Sequence, residues 1–324
     1  MIFNRISLRH GHPWRLARFQ LMSRWQHGLL LLLCWMPAIA DSTLPGEVIL
    51  PGTSQFTLAS TVTGQDYLIQ VSVPDAPPPE QGYPVLYLLD GNARLPLLQA
   101  ARDTLTRRGP EGEGSPLLIV AIGYPETERF NSARRQEDFT PNLPGVSPSD
   151  DAHRQHPSGG ADRFLAFIEE TLKPDINRRF AVNTQREAIF GHSFGGLFVL
   201  HALFTQPSSF ERYIAISPSL WWYGEKPLDT LAQQAPLFPA LANDSRLLIG
   251  VGEREQPASD AVMVTPREQR MQARAMVDNA RDVAEWLETQ QRYRSVDFRL
   301  FSGETHGSVM WPATRQALAF LAED

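Results

Sequence analysis

The sequence predicts an α/β domain built on a mostly parallel sheet with helices on both faces. Three observations point there. Short apolar runs with few charges, VLYLLD, LLIVAIGY, EAIFG, RYIAIS, RLLIGVG and VDFRLFSG, read as strands buried on both faces. Helix-compatible stretches separate most of them, namely LPLLQAARDTLTRR, ADRFLAFIEETLKPDIN, GLFVLHALF, REQRMQARAMVDNARDVAEWLETQQ and ATRQALAFLAE, and such crossovers are what parallel strands need. With 324 residues, 42% hydrophobic and 20% charged, the chain can bury a full core in a single domain.

The first forty residues stand apart. They hold Arg5, Arg9, Arg15, Arg18 and Arg24 and no acid, then GLLLLLCWMP and Ala38-Ile39-Ala40. This reads as a secretory signal over 1–40, cleaved before Asp41, ahead of one domain over 41–324. The apolar run is short for a bilayer, and membrane contact is expected only if the leader stays on as an anchor. Met22 is an alternative start that would give a compact leader.

Setting the leader aside leaves 25 basic residues against 36 acidic ones, a net charge of about −11, which argues against a nucleic-acid partner. Cys34, the only cysteine, lies in the leader behind Leu33, where a lipoprotein site needs a small residue. The remaining chain therefore has no disulfide, no thiol nucleophile and no cysteine metal site, so its core must hold it. No zinc or nucleotide motif is present, and no cofactor or metal is expected.

After the leader, FTLASTV and YLIQVSV flank TGQD and read as a hairpin, followed by the proline-rich link PDAPPPEQGYP. The segment from Pro125 to Ser158 shows no clear periodicity and is rich in Pro, Asn, Asp and Arg, so it reads as a long functional loop.

Ligands of such sheets meet the carboxyl ends of the strands, and the polar residues of interest fall there. Asp90-Gly91-Asn92 follows VLYLLD, and Ser193 follows EAIFG inside Gly191-His192-Ser193-Phe194-Gly195-Gly196. Ser217-Pro218-Ser219-Leu220-Trp221-Trp222 follows RYIAI, Glu253 and Glu255 follow RLLIGVG, and His306 follows VDFRLFSG. G-x-S-x-G is the pattern of a nucleophile elbow, whose tight turn brings backbone so close that side chains must be absent. The order Ser, acid, His is that of the α/β-hydrolase fold.

YPVLYLLDGN, RRQEDFTPN, GGADRFLAFIEE, GHSFGGLFVLHALF, ISPSLWW, GVGERE and ETHGSV together resemble the esterase D superfamily across nearly all of the mature chain. The leader and the arginine-bearing loop ending DFTP are similar to its periplasmic branch, which opens the trilactone of enterobactin and salmochelin. The resemblance implies a serine esterase acting on a ferric tris-catecholate in the periplasm. A general carboxylesterase for feruloyl or short acyl esters is a second reading. A siderophore-binding protein on a hydrolase scaffold is a third, against which intact Ser193 and His306 argue.

A serine hydroxyl is a poor nucleophile until an imidazole takes its proton, and His306 is the histidine placed to do so. Glu253 and Glu255 both follow the strand RLLIGVG; the resemblance, which places the acid a few residues beyond the strand, implies Glu255, with Glu253 as the alternative and Asp260 as an outsider, and some members of the branch resemble serine–histidine dyads. The expected oxyanion donors are the backbone N–H groups of Phe194 and, by the resemblance, Asn92. His192 is expected to pack or bond behind the site, His201 to be structural, and His153 and His156 to be solvated. Asp90 reads as a loop organiser. Arg135 is placed at the substrate by the resemblance, with Arg134 and Arg129 beside it as an anion-binding rim; pairing with Glu126, Glu128, Glu137 and Asp138 is the competing account. Trp221 and Trp222 are either core or the wall of an aromatic pocket.

Overall fold

In the computed structural model, which describes residues 50–106, 116–126, 128–143, 145, 156–234, 244–258 and 265–323, Ile49–Asp324 form one compact unit. The expected leader, Asp260 and His153 lie outside the described residues. The strands are β1 (Thr53–Ala59), β2 (Asp66–Ser72), β3 (Tyr83–Leu89), β4 (Leu118–Gly123), β5 (Val182–His192), β6 (Arg212–Ile216), β7 (Arg246–Gly252) and β8 (Ser295–Phe301). They make one sheet ordered β1-β2-β4-β3-β5-β6-β7-β8. The β1/β2 hairpin joins antiparallel through β2 to β4, and every later pairing is parallel. This is the α/β-hydrolase arrangement.

Helices cover both faces because the central strands bury both. On one face α1 (Gly91–Thr106) and α9 (Met310–Ala322) pack through Leu95, Leu98, Met310 and Ala317 onto Leu86, Ile119, Phe190 and Leu248. On the other lie α3 (Ala161–Phe167), α4 (Lys173–Arg179), α5 (Phe194–Thr205) and α8 (Met276–Thr289), packed on Val85, Val120, Ile189 and Leu247. In α5, every residue from Phe194 to Phe204 is buried, so it is the central helix under the sheet's middle.

Three elements differ from the expectation. The stretch from Pro125 to Ser158 contains α2 (Ser132–Phe139), capped by the Asn131 side chain, which accepts from the Arg134 N–H. Its buried residues include Gln136 and Asp138, polar groups that hide the helical period from a hydropathy reading. The helix expected over REQRMQARAMVDNARDVAEWLETQQ is broken: α7 (Pro266–Arg274) ends at Ala275, which is left-handed at φ 44°, and α8 restarts. The Gln256 side chain accepts from Val277 N–H and Asp278 N–H, capping the new start. The break lets α8 bury Val277, Ala280, Val283 and Leu287 against the sheet, while α7 buries nothing. A short helix, α6 (Pro227–Gln234), was not expected at all.

Candidate active site

β5 ends in His192, and the next residue, Ser193, sits at φ 63°, ψ −119°, before α5 begins at Phe194. That strained backbone lifts the Ser193 hydroxyl clear of the sheet. A side chain at Gly191 would overlap the Gly195 carbonyl, and one at Gly196 would stand 2.9 Å from the Ile216 carbonyl. Gly195 itself faces only ordinary contact with Leu89. The turn therefore needs glycine at 191 and 196 rather than at both flanks of the pentapeptide.

His306, in the loop after β8, reaches Ser193: its Nε2 lies 3.0 Å from Ser193 Oγ. Its Nδ1 donates to Glu255 Oε2 at 2.6 Å. Glu255 lies in a 3₁₀ turn (Glu253–Glu255) after β7 and is 4% exposed. Its other oxygen accepts from Gly252 N–H at 2.7 Å and from Ser217 Oγ at 2.5 Å. Three hydrogen bonds thus hold the carboxylate toward the imidazole. Glu253 is different. It is exposed and accepts from Gly303 N–H and Ser302 Oγ, bonds that lower its pKa. It organises the β8 turn and does not touch His306. Arg254 N–H donates to the Glu304 carbonyl at 2.8 Å, tying the same loop down again.

Phe194 holds N1 of α5, the position whose N–H has no acceptor within its own helix. Asn92 is in the first turn of α1, after β3, and β3 pairs with β5. Its side chain is committed to the end of β4, accepting from Tyr124 N–H at 2.8 Å and donating to the Tyr124 and Glu126 carbonyls. Its side chain is therefore not free to receive substrate, and Asn92 is not among the residues that line the cleft.

The hydroxyl opens into a cleft of about 640 Å³ lined by Ser193, His306, Ser219, Trp221 and Arg135. Arg254, Arg267, Arg270 and Arg274 also line it, and sequence reasoning missed all four. Residues 267, 270 and 274 fall on one face of α7, a spacing visible in the sequence, where the stretch reads only as part of one long helix. Among the described residues Arg254, Arg267 and Arg270 make no ion pair, and Arg274 stacks 4.7 Å over Trp221.

The expected arginine rim is corrected in two places. Arg134 does not line the cleft: it lies over the rings of Tyr67 and Tyr124 and donates to the Asp66 carbonyl. Arg129 is exposed outside the cleft. Arg135 does line it, but its guanidinium closes on Asp90 in a two-point pair through Nε and Nη2, the latter at 2.9 Å. Asp90 is left-handed at φ 59°, so the pair also shapes the β3–α1 turn. Of the two tryptophans only Trp221 reaches the cleft; Trp222 packs edge-on to Phe194 and donates to the Pro141 carbonyl. His201 bonds Asp162 on α3, as a structural histidine would, and His156 is exposed at the cleft's edge. Among the described residues no group of three or more His, Cys, Asp or Glu could hold a metal, and no helix is long and apolar enough to cross a membrane.

Three kinds of comparison bear on this geometry. The family model described as "Putative esterase" matches residues 60–311. The ferri-bacillibactin esterase BesA of Bacillus subtilis is 38% identical over 275 residues, 84% of this chain and 90% of that protein. The siderophore enterobactin esterase of Emericella nidulans is 38% identical over 257 residues, 73% of this chain and 81% of its own. The crystal structure of the BES protein from Bacillus cereus matches with a TM-score of 0.72 at 31% identity, over 86% of this chain and 99% of that one. The chain belongs to this esterase family and, within it, to the siderophore-esterase branch of carboxylic ester hydrolases.

Proposed function

We propose that this protein hydrolyses the backbone esters of a ferric tris-catecholate trilactone of the enterobactin type, in the periplasm, so that iron is released more easily. The observation that carries the substrate reading is the wall of Arg254, Arg267, Arg270 and Arg274 beside Ser193. Without its leader the chain carries a net charge of about −11 and would repel a trianion at long range unless local cations reverse the potential at the mouth. The names of the relatives support the siderophore, and the arginine-rich, acid-free leader supports export.

The chemistry follows from the geometry. Ser193 Oγ attacks the ester carbonyl as His306 Nε2 takes its proton, and Glu255 stabilises the imidazolium through Nδ1–H. The tetrahedral oxyanion is received by the backbone N–H groups of Phe194 and Asn92, each such donor worth roughly 3 kcal/mol in the transition state. His306 then protonates the departing alkoxide, leaving an acyl-enzyme that water, deprotonated by His306, cleaves to a carboxylate. Opening the ring removes the preorganisation that holds three catecholates on one iron.

The test is incubation of the protein with the ferric trilactone and resolution of the products by mass, with Ser193→Ala as control. Linear products, each heavier by one water per ester cut and absent with Ser193→Ala, are expected. Tight binding without turnover would instead mark a binding protein. Turnover confined to short nitrophenyl or feruloyl esters would mark a general carboxylesterase.

A further inference from the structure

The histidine inside the GHSFGG turn has a bonding pattern that the hydrolysis scheme does not use. His192 is buried at the end of β5, one residue before the nucleophile, with its ring centroid 4.6 Å from that of His306. Its Nε2 lies 2.8 Å from the backbone carbonyl oxygen of His306, and its Nδ1 lies 3.1 Å from Arg94 Nη2 in the first turns of α1. A guanidinium can only donate, so Nδ1 accepts. The ring's single proton therefore stands on Nε2, where it donates to His306.

We infer that Arg94 and His192 form a positioning relay: Arg94 fixes the tautomer of His192, and His192 anchors the backbone of His306 so that its ring stays aligned between Ser193 and Glu255. His306 needs such an anchor. His306 is exposed in a loop, and this hydrogen bond ties its backbone to the last residue of the nucleophile's own strand. The charged groups facing His192 are Arg94 from α1, Arg135 from α2 and His306 when it carries the proton. Burial and these neighbours hold the His192 imidazole well below its usual range. A second proton on Nδ1 would also point at the Arg94 guanidinium. His192 thus stays a neutral N–H donor while His306 cycles through its cation beside it.

The relay rests on His306 acting as the base, and the experiment separates the two. Turnover of a neutral nitrophenyl ester is measured with the full chain and with His306→Ala, His192→Phe, His192→Gln, Arg94→Met and the double variant His192→Phe/Arg94→Met, each checked by thermal melting. His192→Phe keeps a planar ring but no donor, and should lose about 10- to 100-fold in kcat with KM within about twofold, because misplacing the base slows chemistry without touching substrate contacts. The glutamine amide of His192→Gln offers an N–H near the Nε2 position, so kcat should return to within about threefold of the parent. Arg94→Met should lose about 3- to 10-fold, and the double variant should be no slower than His192→Phe alone. A dead His306→Ala together with a fully active His192→Phe would overturn the relay alone. Full activity of His306→Ala would overturn the base assignment and the relay with it. Equal slowing by Phe and Gln at 192, or losses that multiply in the double variant, would show that the donor or its link to Arg94 is not what matters.

Discussion

Two helices bring arginines to the cleft region: α2 carries Arg134 and Arg135, while α7 carries Arg267, Arg270 and Arg274, and Arg254 lines the cleft with the α7 set. The α2 pair is consumed by the fold. Arg134 is spread over two tyrosine rings, and Arg135, with a side chain 12% exposed, is locked to Asp90. The α7 set hangs on a helix with no buried residue, and Arg267 and Arg270 have no acidic partner among the described residues. Equal charge in the sequence is therefore unequal charge at the site. A guanidinium paired with a buried carboxylate presents little net field, whereas one held over open cleft presents nearly all of it.

The catalytic chemistry shared by both gives the largest expected effect. Glu255→Gln should lower kcat by about 10³- to 10⁴-fold for any ester, since the wrong partner on Nδ1 disfavours the productive tautomer and the imidazolium. Glu253→Gln, whose carboxylate only ties the Ser302–Gly303 turn, should cost less than about tenfold. Steady-state rates of both variants on one neutral ester check this, and a reversed ranking would move the acid to Glu253.

Arg135→Ala sharpens the comparison from the α2 side. It strands the buried Asp90 carboxylate, and breaking such a pair typically costs about 3–5 kcal/mol. The melting temperature should fall markedly, and turnover of neutral and anionic esters should fall together. A loss confined to the anionic substrate, with stability unchanged, would return Arg135 to the role of anion receptor.

A smaller effect comes from the network that seats α2. Tyr67 and Tyr124 donate their hydroxyls to Asp138, and burial pushes that carboxyl up to about 7 against the opposing pull of Arg134 and the two tyrosines. A carboxyl with a raised folded pKa holds its proton more tightly folded than unfolded. The stability it contributes is thus present at low pH and is lost as pH rises from about 4 to about 7. Asp138→Asn should flatten the fall in melting temperature across that window. Parallel wild-type and variant profiles would show that Asp138 titrates normally.

The same contrast explains what could be read from the chain alone. The strands, the elbow and His306 were legible because apolar runs and turn chemistry are local signals. Glu255 over Glu253 was not decidable locally. Both follow the same strand two residues apart, and only the backbone donor at Gly252 and the Ser217 hydroxyl, brought in from β6, separate them. The roles of the arginines were illegible for the same reason: Asp90 and Tyr67 are distant in sequence from α2, and they and the nearer Tyr124 meet its arginines only in the folded structure. The α7 arginines carried a helical spacing, but the left-handed Ala275 that swings them off the α8 axis leaves no mark in composition.

The claim that α7, and not α2, reads substrate charge is tested most directly by KM for the ferric tris-catecholate and for a neutral nitrophenyl ester in Arg267→Ala/Arg270→Ala and in Arg134→Ala. The α7 double variant should raise KM for the trianion about tenfold or more, equivalent to about 1.4 kcal/mol or more, and leave the neutral ester within about twofold. Added salt should carry the wild type toward the variant for the trianion only, since screening acts on the charge term. Arg134→Ala should leave the ratio of the two KM values unchanged. An unchanged trianion KM in the α7 variant, or a selective rise in Arg134→Ala, would contradict the account.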